Sequence, residues 1–130
     1  MLLMSFMMLK APPYASLMIF YSPGINPFEK AFYAVNMVES KLNPNAYNPR
    51  DPNGGSHGIS QIGLLRLKDY NRRTGKKYTV KDLYKIDVSK EIFMFYSSKY
   101  GPYKQDLMIR RWNGSGKATY AYLKKVRKHM

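Results

Sequence analysis

Glu39 is the residue of this chain best placed to do chemistry, and its neighbours in sequence say why. Phe28, Ala31, Phe32, Val35 and Val38 recur three or four apart and predict one apolar face of a helix. Glu39 falls at the edge of that face, in the last turn before Asn43-Pro44, where proline turns the preceding residue away from helical geometry. Apolar neighbours strip solvent from a carboxylate, and the negative end of the helix disfavours it as well, so the pKa of Glu39 is expected to rise. A carboxyl still protonated at neutral pH suits general-acid catalysis at a glycosidic oxygen, a poor leaving group unless a proton arrives as the bond breaks. The plainer alternative is a solvated helix residue paired with Lys41 or Lys30.

Other chemistries find less in the sequence. The chain has no cysteine, which excludes a disulfide or a thiolate metal site and leaves the redox compartment open. His57 and His129 are the two imidazoles, far apart and without ligand spacing, so no metal and no cofactor is expected. A net charge of +14 calls for an anionic partner or a tolerance for self-repulsion. Much of it sits at Arg72-Arg73, Lys76-Lys77, Arg110-Arg111 and Lys124 to Lys128, which also read as solvated helix faces and ends. A nucleic-acid groove would need aromatic platforms among these cations. Tyr78, Tyr100 and Tyr103 match that only loosely, and nucleic acid is not the expected partner.

Glu39-Ser40, then Asn43-Pro44-Asn45-Ala46, then Gly58-Ile59-Ser60-Gln61-Ile62 resemble the first two motifs of the lytic transglycosylase domain of the soluble transglycosylase type, in the lysozyme-like superfamily. That family reads Glu-Ser, a turn of the form Asn-Pro-x-Ala, then Gly-Leu-Met-Gln. Further on, Asp87 to Tyr96 resembles the helix after the family's Asp-Pro-Glu-x-Asn-Ile turn, with Glu91-Ile92 where Asn-Ile is usual. Arg111-Trp112-Asn113-Gly114 resembles its Ala-Tyr-Asn-Ala-Gly motif, and Thr119, Tyr122 and Val126 resemble its closing helix. The likeness runs in the family's order over about residues 27 to 127.

The resemblance implies cleavage of the β-1,4 bond between N-acetylmuramic acid and N-acetylglucosamine in peptidoglycan, with ring closure to a 1,6-anhydro sugar. It makes Glu39 both acid and base, with no protein nucleophile, because the substrate's acetamido group assists. Ser40 would hold the local turn or the carboxyl, Gln61 and Asn113 would contact sugar, and Tyr122 would support the site from the closing helix. Two departures stand out: Ser60 replaces a methionine that packs on a sugar, and Trp112 replaces a tyrosine. Tryptophan can stack on a pyranose or pack in the core, but it offers no phenolic hydroxyl near the acid. Asp51 is a candidate second carboxylate: goose-type lysozymes share the Glu-Ser and Gly-Leu-Met-Gln pattern and hold a water with downstream aspartates, which would make the enzyme a hydrolase. Asp51 before Pro52 also suits a purely local turn. A wall-binding module without activity is the remaining alternative.

These residues need elements to position them, and 130 residues suit one domain with one core. The expected fold is mainly α and lysozyme-like, with five to seven short helices and a long loop or small hairpin lining the cleft. Residues 1–24 read as an apolar leader, a poor signal or anchor or a packed segment, and 25–130 as the transglycosylase domain. The first helix is expected from Asn26-Pro27 to Ser40–Leu42, followed by a loop from Asn43 to His57 rich in proline and glycine, too much so for strands to be insisted on. Gly58 would admit a ligand close to the backbone. Further helices are expected at Ile59–Asn71, at a short segment after Thr79 with Asp82 in a capping pattern, after an Asp87 cap, at Tyr103–Trp112, and after an Asn113–Gly116 turn. The partner is expected to be peptidoglycan glycan strands, with membrane contact open to residues 1–21, a monomeric state, and a periplasmic or extracellular place at the cell wall. No wall-binding repeat is present, which suits an enzyme opening a local hole, as phage or conjugation machinery requires.

Overall fold

The computed structural model describes residues 27–130; the expected leader at 1–24, its membrane contact and the Asn26 cap lie outside the described residues. Among the described residues the chain is mainly helical, with five α-helices, a 3-10 helix and a small antiparallel sheet. In chain order these are α1 (Pro27–Ser40), β1 (Tyr47–Asn48), β2 (Ser56–His57), β3 (Ile62–Gly63), α2 (Leu64–Thr74), the 3-10 helix (Val80–Tyr84), α3 (Ile86–Ser97), α4 (Gln105–Asn113) and α5 (Ala118–Arg127). No described helix is long and apolar enough to cross a membrane.

The apolar stripe of α1 buries Ala31, Phe32, Ala34 and Val35, while Phe28 and Val38 stay half-buried at its margins. This helix packs against α3, α4 and α5. Ile92, Phe93, Ile109 and Val126 of those three helices are fully buried against it in one core. Each such aliphatic or aromatic side chain removed from water contributes about 1.5–3 kcal/mol, so this core is what holds α1, and with it Glu39, in place.

Helix α1 ends at Ser40, within the expected Ser40–Leu42 range, and the backbone rather than the proline ends it. Lys41 and Leu42 both take left-handed backbone angles, φ 53° and 63°, and the Leu42 N–H donates to the Asn36 carbonyl at 3.2 Å. The chain has therefore left the helix before Asn43-Pro44 can act. The loop that follows does form short strands, so of the two expected forms, a long loop or a small hairpin, the hairpin is the one present. Tyr47 pairs with His57 and Asn48 with Ser56, and β2 then pairs with β3 through Ser56 with Gly63 and His57 with Ile62. The strands are two residues each, too short to leave an alternating pattern in sequence.

Three boundaries differ. The expected helix at Ile59–Asn71 instead begins at Leu64, because Gln61 sits in a left-handed turn (φ 50°) and Ile62–Gly63 pairs in the sheet. Asp87 is not the cap of α3; that position is Lys85, and Asp87 lies in the first turn, favourably placed at the positive end of the helix. Asn113 is the last residue of α4 and not part of the following turn. The Thr79–Asp82 pattern does cap the 3-10 helix, the Asp82 carboxylate accepting the Thr79 N–H at 2.8 Å.

Candidate active-site cleft

A cleft of about 800 Å³ runs between the end of α1, the hairpin loop, α2, α3 and the end of α4. Glu39, Asp51, Gln61, Trp112 and Asn113 all line it, so five of the residues singled out in the sequence meet in one cavity. Ser40 and Tyr122 stand behind that wall and act through it.

Glu39 is half-buried and takes part in no ion pair among the described residues, so the surface pairs with Lys41 or Lys30 do not form. Its partner is Tyr122 on α5, whose hydroxyl donates to Glu39 Oε1 at 2.6 Å. Burial pushes the Glu39 carboxyl up from its ordinary value; the Tyr122 hydrogen bond and the Arg66 guanidinium pull it part of the way back. With Oε1 occupied by Tyr122, Oε2 is the oxygen left to carry the proton. The phenolic hydroxyl that Trp112 cannot supply is thus supplied by Tyr122, itself buried at 8 % exposure and raised in pKa by that burial.

Ser40 holds the turn and not the carboxyl. Its Oγ donates to the Ile59 carbonyl at 2.7 Å and accepts the Asn43 N–H at 3.2 Å, tying the exit of α1 to the Gly58–Gln61 turn. Gly58 (φ 79°) allows a close approach, but to protein and not to a ligand: a Cβ there would lie 1.9 Å from the Leu83 carbonyl oxygen of the 3-10 helix. Gln61 lines the cleft while its amide donates to the Gly58 and Ala46 carbonyls at 2.9 and 3.2 Å. The Oε1 atom remains to accept a hydrogen bond from a ligand in the cleft. Ser60 does not line the cleft, where the resemblance puts a side chain that packs on sugar. It is fully buried, its Oγ donating to Asn36 Oδ1 at 2.7 Å on α1.

Trp112 is buried, and its ring is already engaged. Phe93 meets it edge-on at 4.9 Å, and the Arg66 guanidinium lies 4.0 Å from its centroid. Stacking of a pyranose on that ring face would have to displace Arg66, so the core-packing alternative holds for Trp112. Asn113 is exposed at the rim. Asp51 sits on the hairpin loop, its Oδ2 accepting a hydrogen bond from Ser56 Oγ and its carbonyl accepting the Gly55 N–H at 3.0 Å, so it has both a cleft position and a local turn role.

Arg66 is the site residue that sequence reading missed. From α2 it donates to the Trp112 carbonyl at 2.8 Å, and burial lowers its pKa while Tyr96 and Glu39 counter that. A lone cation inside Leu64-Leu65-Arg66-Leu67 was the available signal, because an arginine within an apolar run must find a partner. Tyr96, which the sequence places only at the end of the helix resembling the family's, also belongs to the cleft wall, where its hydroxyl donates to Asp69 at 2.6 Å. No group of three or more potential metal-binding side chains gathers among the described residues. Comparison of the chain with protein-family models, with curated proteins and with solved structures returns no match.

Proposed function

We propose that this protein is a peptidoglycan lytic transglycosylase of lysozyme-like architecture, cleaving between N-acetylmuramic acid and N-acetylglucosamine with a single glutamate. The observation that carries the reading is the Glu39 carboxyl, raised in pKa by burial at the wall of a cleft large enough for sugar rings and held through one oxygen by Tyr122. A helix ending in an acid beside a short three-stranded hairpin sheet fits the architecture.

In the first step Glu39 Oε2 gives its proton to the bridging oxygen as the C1–O bond breaks, and the substrate's acetamido oxygen bonds to C1. Glu39 is then a carboxylate, stabilised by the Tyr122 hydroxyl and the nearby Arg66 charge, which keeps the proton transfer from being too costly. In the second step Glu39 takes the proton of the muramic 6-hydroxyl, O6 bonds to C1 and the acetamido bond opens. The glutamate ends protonated, as it began, and the product is a 1,6-anhydro end. Gln61 Oε1 and Asn113 provide hydrogen bonds to the bound glycan. Such a substrate sets the place of action in the periplasm or at the cell wall.

One observation favours a second reading. Asp51 lines the same cleft, and with Oδ2 bonded to Ser56 its other oxygen could hold a water for hydrolysis. Against an inactive wall-binding module stands the presence in one cleft of Glu39, Gln61 and Asn113, which Ser60, buried against Asn36, does not obstruct. A peptidoglycan zymogram tests the enzymatic reading: Glu39→Gln is expected to abolish clearing and still sediment with sacculi, and clearing at the wild-type level would contradict it.

A further inference from the structure

A smaller pocket of about 90 Å³ adjoins the cleft, with Arg66, Tyr96 and Trp112 lining both and forming their shared wall. Its other lining includes Ser97, Lys99 and Arg111. Ser97 is 1 % exposed, and its Oγ is one of two buried side-chain polar atoms without a hydrogen-bond partner among the described residues. Such atoms are uncommon in folded proteins and mark places where a bonding partner is missing.

The cations point to what that partner is. Neither Lys99 nor Arg111 takes part in an ion pair among the described residues. Lys99 Nζ lies instead over the Tyr96 ring at 4.9 Å, as Arg66 lies over Trp112. Lysine and arginine side chains are donors only, so three of them with a free serine hydroxyl present a set of donors with almost no acceptor. A sugar ring offers hydroxyls that both donate and accept; an oxyanion only accepts. Lys99 and Arg111 stand exposed at the mouth, while Trp112 and Ser97 are buried behind them, so the pocket is open to an incoming anion and lower in dielectric toward its floor. The volume suits an oxyanion head, while the neighbouring cleft has room for the rings that would carry it.

We propose that this side pocket binds an oxyanion substituent of the polymer lying in the cleft, either a carboxylate of a peptide branch or a phosphate of an attached wall polymer. Its placement next to bound glycan rests on the transglycosylase reading; its preference for oxyanions does not. Trp112 is the sole tryptophan of the chain and lines the pocket, so its fluorescence reports occupancy directly.

The test titrates the full chain with inorganic phosphate and with the free stem tripeptide, against sodium chloride of matched ionic strength. A saturable change in Trp112 emission is expected with one or both oxyanions. Lys99→Met/Arg111→Gln should weaken it by about tenfold or more, and the charge-conserving Lys99→Arg/Arg111→Lys pair should restore it. Sedimentation with sacculi, in a Glu39→Gln background that removes turnover, separates the sources. Loss of the difference between the cation-deleted and parent proteins on amidase-treated sacculi assigns the stem carboxylate, and its loss on sacculi stripped of phosphate polymers assigns the phosphate. Emission that merely follows chloride, or is identical in the cation-deleted variant, overturns the proposal. Failure of the glycosidase reading would instead appear as absent turnover by the wild-type protein with the titration unaffected.

Discussion

At the scale of residues, burial, Tyr122 and Arg66 together set whether Glu39 carries its proton. Burial favours the acid form of Glu39, and Tyr122 and Arg66 favour its conjugate base, with burial the larger effect. Replacing Tyr122 with phenylalanine removes a group that lowers the Glu39 pKa, so the alkaline limb of the pH–activity profile should move to higher pH. An unmoved limb would show that Glu39 is not the titrating acid. The same shift has a stability consequence. The folded protein keeps a proton on Glu39 that the unfolded chain loses near pH 4.5, so stability falls as pH rises from 4.5 to the folded-state pKa, and the cost is complete above it. Glu39→Gln removes that cost: thermal melts should put the variant level with wild type near pH 4 and above it at neutral pH. In turnover the same substitution should cost at least about 10²–10⁴-fold. Glu39 was legible from its place on the apolar stripe and Tyr122 only through the family resemblance, whereas Arg66 was missed. Tyr122 lies 83 residues away and Arg66 comes from a different helix, and neither distance in sequence carries a periodic signal.

At the scale of elements, the site depends on the turn at Gly58–Gln61 and the exit of α1 being locked together. Gly58→Ala would drive a Cβ into the Leu83 carbonyl and strain a left-handed position, and should destabilise the fold by roughly 2–4 kcal/mol in denaturant melts. Ser40→Ala should cost about 1 kcal/mol through the Ile59 carbonyl it leaves unpaired, without moving the pH profile, since Ser40 does not touch the carboxyl. A profile shift in that variant would contradict its assignment to the turn. The long helices were readable because α1, α3 and α5 repeat apolar residues over three turns or so, long enough for periodicity to speak. The hairpin was not, because strands of two residues have no period and are fixed by turns at Gly54, Gly55, Gly58 and Gln61. The same left-handed Gln61 displaced the expected start of α2, and left-handed Lys41 and Leu42 ended α1 ahead of the proline. Non-glycine residues in that conformation give little warning in sequence.

At the scale of the whole molecule, +14 charges must be accommodated. Some are spoken for: Arg72 and Arg73 pair with Asp69 at 2.7 and 2.9 Å, Arg127 pairs with Asp106, and Lys124, Lys125 and Arg127 lie at the negative end of α5. Of the aromatic residues considered as nucleic-acid platforms, Tyr78 is stacked on Tyr70, Tyr100 is half-buried and Tyr103 stands exposed, which is a poor stacking track. The remaining excess suits attraction to an anionic wall. Sedimentation with sacculi should weaken steadily as salt shortens the Debye length from about 30 Å to about 3 Å, and salt-independent binding would remove charge from the account. The central claim is tested most directly by mass spectrometry of the fragments that the intact protein releases from sacculi. Fragments with 1,6-anhydro ends, one water lighter than their reducing counterparts and absent with Glu39→Gln, are the predicted result. Reducing ends alone would make the enzyme an Asp51-assisted hydrolase, and identical products from Glu39→Gln would contradict glutamate catalysis altogether.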